Sequence, residues 1–152
     1  MTEAIVSDGM SMLAEGTLRM IATFVAAFGI GVAAYIAIEA AGGDAPTCVA
    51  GGSGCQAVAD SIYSHVLGVN IAVFGIVGYA LLLAASLLRG DGVRMAGFGI
   101  ALVGFGYSVY LTYLELFKIE AICQWCVGSA ALMTILFSLS AVRMVGYVGK
   151  PA

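Results

Sequence analysis

The sequence predicts an all-α integral membrane protein, a bundle of four transmembrane helices with a short amphipathic interfacial helix in the first outward loop. Of the 152 residues, 62% are hydrophobic and only 10% are charged, whereas a soluble domain is about half apolar and a quarter charged. The apolar residues are also grouped into four uncharged runs of 18 to 21 residues, at 20–38, 71–88, 95–114 and 122–142. Lipid is therefore the expected solvent.

Each apolar run is long enough to cross a bilayer. A hydrocarbon core of about 30 Å needs about 20 helical residues, and a helix satisfies its backbone hydrogen bonds within the segment. None of the runs alternates apolar and polar residues as the strands of a membrane barrel do. Small residues on the third run, such as Gly97, Ala101 and Gly104, are typical of close helix packing.

The first apolar run has a second interpretation, a cleavable signal peptide. Its 19 residues exceed the usual apolar region of about 7 to 15 residues in such peptides. The preceding segment also carries Glu3, Asp8 and Glu15 against a single Arg19. We therefore expect the run to be retained as a transmembrane helix.

The basic residues predict the orientation. With four spans, five of the six Lys and Arg residues lie on one side, and only Lys118 lies on the other. The positive-inside rule then places both termini in the cytoplasm and the first and third loops outside a cell membrane. We expect an N-terminal segment at 1–19, a four-helix domain at 20–143 and a C-terminal tail at 144–152. A basic patch for nucleic acid is absent from the sequence.

All four cysteines are predicted to lie on the outward side. Cys48 and Cys55 fall in the first outward loop, and Cys123 and Cys126 begin the fourth apolar run. Disulfides persist outside the cytoplasm, so this placement puts every sulfur where it can be oxidised. We interpret the cysteines as two redox pairs.

The spacing within each pair suits thiol–disulfide exchange. Cys123 and Cys126 form a CxxC at a predicted helix N-terminus, where the helix dipole and free N–H groups stabilise a thiolate. Six residues, three of them glycine, separate Cys48 from Cys55, and glycine-rich spacers are mobile. Such a loop lets Cys55 approach another sulfur, as exchange requires.

Two other interpretations of the cysteines stay open. One is a zinc site, although ligand pairs in zinc sites are commonly two to four residues apart and the sequence has a single histidine, His65. The other is a non-catalytic four-helix scaffold with two structural disulfides. Structural bridges have reduction potentials below about −300 mV, which separates a scaffold from a relay. We favour the redox relay and expect no metal.

The order and spacing of these motifs resemble the vitamin K epoxide reductase family, including its bacterial and archaeal disulfide-forming members. The resemblance covers about 20–143 and rests on Cys48 and Cys55, on Ser61, on the stretch 67–75 entering the second helix, and on CQWC opening the fourth. The quinone-linked oxidase of the other bacterial disulfide pathway carries its CxxC in the first outward loop instead, which is the reverse order.

The resemblance implies a role for each cysteine. Cys126 matches the cysteine that faces a quinone, and Cys123 matches its partner, which is recharged through Cys55. Cys48 matches the outer cysteine that exchanges with a soluble thioredoxin-like protein. Electrons are then expected to run from that partner to a membrane quinone of the menaquinone, ubiquinone or vitamin K type. Because the sequence ends at Ala152 without a thioredoxin-like domain, we expect this partner in trans.

Seven residues are candidate quinone contacts. Ser61 is the best match to the family, whereas Asn70 is equally suited to cap a helix. The full set is Val58, Ser61, Asn70, Phe74, Tyr79, Leu111 and Ala130. Animal members carry asparagine where this chain has Ile71 and tyrosine where it has Ala130, so the resemblance does not extend to epoxide reduction or anticoagulant sensitivity.

Two connecting segments carry further expectations. Val58, Ile62 and Val66 recur every four residues, which predicts an amphipathic helix over 56–67 lying at the membrane surface as a lid above the quinone. The charged residues between the third and fourth runs predict a solvated turn: Glu115, Lys118 and Glu120.

Overall fold

The computed structural model describes residues 2–149, and most of them are helical. The helices are α1 (Thr2–Gly42), α2 (Gly54–Ala59), α3 (Ile71–Leu87), α4 (Asp91–Leu114) and α5 (Gln124–Val148). By length and composition α1, α5 and the segment Asp91–Ile119 can each cross a membrane, whereas α3 is apolar but has 17 residues. The predicted all-α class is confirmed, and the count of four spans stays a prediction.

The first helix is longer than its apolar run. α1 has 41 residues, about 60 Å at 1.5 Å per residue, so the predicted N-terminal segment 1–19 is helical from Thr2 onward. Alanine, leucine, methionine and glutamate are frequent in this segment, and all four are strong helix formers. The apolar run is therefore the second part of one unbroken helix, whose first part contains the charged residues.

The helices pack through small residues. α1 lies mainly against α3, α4 lies mainly against α5, and α1 also contacts α5. Ala22, Ala26 and Ala33 on α1 are buried in this core. At Gly29 the ring of Tyr79 occupies the position that a Cβ atom would need. Because lipid gives helices no hydrophobic reason to associate, such close approach is how they gain contact energy.

Small residues also hold α4 between its two neighbours. Gly97 faces Ala85 of α3, and Gly104 faces Met133 of α5. Ala101, between the two glycines, is completely buried. The prediction that these residues serve close helix packing is confirmed.

Basic side chains gather at one end of the bundle. The Glu15 carboxylate lies 3.4 Å from the Arg94 guanidinium and 2.9 Å from that of Arg143. Arg19 donates to the carbonyl oxygens of the last two residues of α3, at 2.9 and 2.8 Å, and these carbonyls have no partner within their helix. The orientation inferred from the basic residues requires them to share one end of the bundle, as these do. The side of the membrane that this end faces stays a prediction.

The first loop forms a hairpin after α2. Strands β1 (His65–Val66) and β2 (Val69–Asn70) pair antiparallel. Leu67 and Gly68 join them with positive φ angles of 54° and 81°, the conformation that two-residue hairpin turns favour. The hairpin leads directly into α3.

The predicted continuous helix over 56–67 is wrong. The loop does contain a short helix, but α2 ends at Ala59, and Ser61 is extended with a ψ of 151°. A single 3₁₀ turn, Ile62–Ser64, follows. The apolar residues that recur every four positions therefore fall on three separate short pieces and not on one helix, and two of them, Ile62 and Val66, are exposed.

Candidate active site

The four cysteines lie together at the end of the bundle away from Glu15. Cys48 and Cys55 are joined by a disulfide with their Cα atoms 6.0 Å apart. Cys123 and Cys126 are free thiols, the first buried and the second partly exposed. One pair is thus closed and the other open.

The start of α5 determines the geometry of the CxxC pair. Cys123 is the residue before the helix, and its sulfur accepts a hydrogen bond from the backbone N–H of Cys126 at 3.4 Å. The first N–H groups of a helix lack partners within it and favour nearby negative charge. The structure therefore confirms the predicted position of the CxxC at a helix N-terminus, where a thiolate is stabilised.

The two residues inside the CxxC hold the loop that carries Cys48. The Gln124 side-chain oxygen accepts from the backbone N–H of Ala50 at 3.0 Å. Trp125 Nε1 donates to the Thr47 carbonyl at 2.9 Å, and its ring centroid lies 4.9 Å from that of Tyr35. Sequence reasoning missed these contacts, because nothing in the CxxC spacing indicates what its middle residues touch. They bring the two cysteine pairs together.

A small cavity of about 60 Å³ connects the two pairs. Cys55, Cys123 and Cys126 all line it, and Cys55 and Cys123 are only 3% and 2% exposed. The backbone at Gly54 lies directly against the carbonyl oxygen of Ile122, so a Cβ atom at residue 54 would overlap that oxygen. The loop cysteine Cys55 is therefore seated beside the start of α5.

A larger cavity of about 810 Å³ lies on the other side of Cys126. Its walls come from α1, α3, α4 and α5 and are mostly apolar. Along α4 they extend from Ala96 to Thr112, about 24 Å at 1.5 Å per residue. Cys126 lines both cavities. It therefore stands between the compartment that holds Cys55 and Cys123 and a long apolar one.

This arrangement agrees with comparisons to known proteins. The model of the vitamin K epoxide reductase family matches residues 20–141, which include all four cysteines. The chain belongs to the vitamin K epoxide reductase family. It is also 33% identical over 118 residues to the thiol-disulfide oxidoreductase LTO1 of Arabidopsis thaliana, an alignment that covers 70% of this chain and 31% of that protein. The matched region is thus about a third of the relative's length.

Family membership confirms the resemblance seen in the sequence. Together with its several long apolar helices, it makes the chain a multi-pass membrane protein.

Four of the seven candidate quinone contacts line the large cavity: Phe74, Tyr79, Leu111 and Ala130. Tyr79 is only 1% exposed, and its hydroxyl donates to the Ser129 carbonyl at 2.8 Å. Tyr79 therefore forms part of the cavity wall, and its hydroxyl group is already hydrogen-bonded to the protein.

The other three candidates, Val58, Ser61 and Asn70, line the small cavity, as Leu111 also does. The Ser61 hydroxyl donates to the Val58 carbonyl at 2.7 Å. The Asn70 side-chain oxygen accepts from the backbone N–H of Ala72 at 2.8 Å and caps α3. Of its two expected roles, Asn70 therefore performs the helix cap.

Glu115 is the residue at the site that sequence reasoning missed. Its predicted place in a solvated turn is wrong, since the residue is only 4% exposed, whereas Lys118 and Glu120 are exposed as expected. The reason is that Glu115 ends α4 in an ordinary helical conformation and its carboxyl group accepts from the backbone N–H of Cys123, before the π-helical turn Glu115–Ile119 leads on to the exposed residues. A signal existed, because an ionisable residue directly beside an apolar run is a functional candidate.

Proposed function

We propose that this protein is a membrane thiol–disulfide oxidoreductase that drives disulfide formation outside the cytoplasm. It passes two electrons from a thioredoxin-like dithiol protein through Cys48 and Cys55, then through Cys123 and Cys126, to a quinone. The observation that carries the proposal is the position of Cys126 between the cysteine cavity and the large apolar cavity. The similarity to LTO1, a thiol-disulfide oxidoreductase, supports the same chemistry.

The outer step begins at Cys48. Its side chain is partly exposed, whereas Cys55 is 3% exposed, so an incoming thiolate has access to the Cys48 sulfur. Attack there breaks the loop disulfide and releases Cys55 as a thiolate. The second thiol of the partner then displaces Cys48, and the partner leaves oxidised.

The inner step transfers the disulfide from α5 to the loop. When Cys123 and Cys126 are oxidised, the Cys55 thiolate attacks Cys123 and releases Cys126. Cys48 then attacks Cys55, which restores the loop disulfide and frees Cys123. The shared small cavity gives Cys55 and Cys123 a common space in which to react, and the N–H groups at the start of α5 favour negative charge on Cys123.

The final step oxidises the reduced CxxC pair. A quinone bound in the large cavity supplies the capacity to accept two electrons and two protons. The apolar walls suit its ring and its hydrocarbon tail, and the volume of about 810 Å³ lies within the range of ligand pockets. Phe74, Leu111 and Ala130 are the wall residues that would contact it, with Cys126 as the reacting thiol.

The proposed topology follows from this chemistry and the charge count. α1, α3, α4 and α5 all cross the membrane, both termini are cytoplasmic, and the cysteines lie outside. Arg19, Arg94 and Arg143 then lie at the cytoplasmic end, where the positive-inside rule favours them. The partner dithiol protein meets Cys48 from the opposite side.

Quinone reduction by the purified protein tests the proposal. Given a reduced dithiol substrate and menaquinone or ubiquinone analogues, the wild-type protein should reduce the quinone, and Cys126→Ala should not. The same variant should still exchange disulfides among its remaining cysteines. A wild-type protein that reduces neither class of quinone would overturn the assignment of the acceptor.

A further inference from the structure

A buried carboxyl group lies in the wall between the two cavities. Glu115 is only 4% exposed and lines both the small and the large cavity, as Cys126 does. Within residues 2–149, no Lys, Arg or His side chain forms an ion pair with it. Burying a carboxylate without a cation is costly, so its presence calls for an explanation beyond packing.

The contacts of Glu115 are with the CxxC pair. Its Oε2 accepts a hydrogen bond from the backbone N–H of Cys123 at 3.1 Å, and Glu115 lines both cavities together with Cys126. A backbone carbonyl or an amide side chain would satisfy the same N–H group without burying an ionisable group. The carboxyl is thus placed beside both thiols and faces the apolar cavity.

We propose that Glu115 carries protons from the CxxC thiols to the quinone, an inference that rests on the proposed function. The carboxylate takes the proton of the Cys126 thiol and releases it to one quinone oxygen, then repeats the transfer with the proton of Cys123. Two electrons pass to the quinone as the Cys123–Cys126 bond forms. Dithiol and quinone become disulfide and hydroquinone, and the Glu115 carboxyl group returns to its initial protonation state.

The neighbouring charged residues serve as internal comparisons. Glu120 lies five residues further along the same connection, yet it is exposed and has a positive φ of 54°. Lys118 is exposed as well. Glu115 is thus the charged residue of this connection that lies beside the CxxC pair, and Glu120→Gln is a matched control for Glu115→Gln.

The test is a single turnover of the pre-reduced protein with a quinone analogue, followed by quinone absorbance. Glu115→Gln keeps an oxygen that accepts from the Cys123 N–H but cannot carry a proton, so quinone reduction should slow by about 100-fold, a typical contribution of general acid–base catalysis. Exchange between the cysteine pairs and thermal stability should stay as in wild type. Glu115→Asp should recover part of the rate, and Glu120→Gln should match wild type.

Infrared difference spectroscopy supplies a readout independent of turnover. Chemical oxidation of the reduced protein, without quinone, should change a carboxyl band that is missing in Glu115→Gln and retained in Glu120→Gln. Wild-type quinone reduction together with an unaffected Glu115→Gln rate would overturn the proton-carrying role alone. If Glu115→Gln loses stability and disulfide exchange together, Glu115 acts as a structural cap of α5 and not as a proton carrier. Failure of the wild-type protein itself would instead count against the proposed function.

Discussion

The carbonyl oxygen of Ile122 occupies the position that a Cβ atom on Gly54 would need. This contact joins the loop between α1 and α3 to the residue that precedes the CxxC. Cys55 follows Gly54 directly, and Cys123 follows Ile122, so the backbone contact seats the two inner cysteines side by side. Any residue larger than glycine at position 54 must push the loop away from α5.

Gly54→Ala should therefore slow disulfide transfer between the pairs. Overpacking of this kind typically costs about 1–3 kcal/mol, so transfer should slow roughly tenfold or more. Acid quenching, alkylation and mass spectrometry of the protein during turnover would measure the rate. Gly42→Ala is the control, since a Cβ atom there meets no neighbour within 4 Å. Equal transfer rates in the two variants would contradict the seating of the loop.

The relay itself predicts a trapped intermediate. In a Cys48→Ala, Cys126→Ala double variant the remaining cysteines are Cys55 and Cys123, and both line the small cavity. A disulfide between them should accumulate, which requires Cα atoms within about 7 Å. Peptide mapping without reduction would detect it. Two free thiols under oxidising conditions would favour two independent structural bridges.

Trp125 should affect the outer step more than the quinone step. Trp125→Phe removes the N–H group that donates to the Thr47 carbonyl but keeps an aromatic ring beside Tyr35. A lost hydrogen bond of this kind costs about 1 kcal/mol, so the Cys48 loop should detach more often, and reduction of its disulfide by a small dithiol should accelerate several-fold. Quinone reduction by pre-reduced protein should not change. Equal effects on both half-reactions would argue for a general loss of structure.

The contact between Gly29 and Tyr79 should contribute to stability. Gly29→Ala places a methyl group where the buried Tyr79 ring lies, and relief of that overlap should cost about 1–3 kcal/mol. The thermal midpoint in detergent should fall accordingly. Gly31→Ala lies on the same helix with no atom within 4 Å of the added carbon, so its midpoint should stay equal or rise slightly. An unchanged midpoint for Gly29→Ala would mean that the ring is free to move.

The orientation can be tested in intact cells. An impermeant thiol reagent added from outside should label the reduced loop cysteines, with the partly exposed Cys48 reacting ahead of the buried Cys55, because both lie in the proposed outward loop. A reporter fused after Ala152 should behave as a cytoplasmic protein. Labelling of these cysteines only after the cells are opened would reverse the topology.

The helices and cysteine motifs were readable because their signals are local. Uncharged runs of helix length and a CxxC before a helix each depend on neighbouring residues alone. Regularly spaced small residues such as Ala101 also indicate helix packing, because small residues let membrane helices approach each other closely. The family resemblance then supplied the proposed order in which the cysteines act.

The parts that the sequence did not reveal depend on backbone detail. Whether Glu115 faces solvent or the thiols depends on how the connection after α4 brings the Cys123 N–H group to its carboxyl group, and its position at the end of an apolar run is compatible with either. The helix predicted over 56–67 fails because Ser61 is extended and a hairpin follows.

Side chains form hydrogen bonds with the backbone at both ends of α3, the shortest of the long helices. Asn70 accepts from the first turn of α3, and Arg19 donates to its last two carbonyl groups. Seventeen residues measure about 26 Å, somewhat less than the roughly 30 Å of a typical hydrocarbon core. Because one N–H group of its first turn and its last two carbonyl groups have partners within the protein, α3 leaves fewer unsatisfied peptide groups in the acyl region, and the surrounding lipid has less need to thin around it.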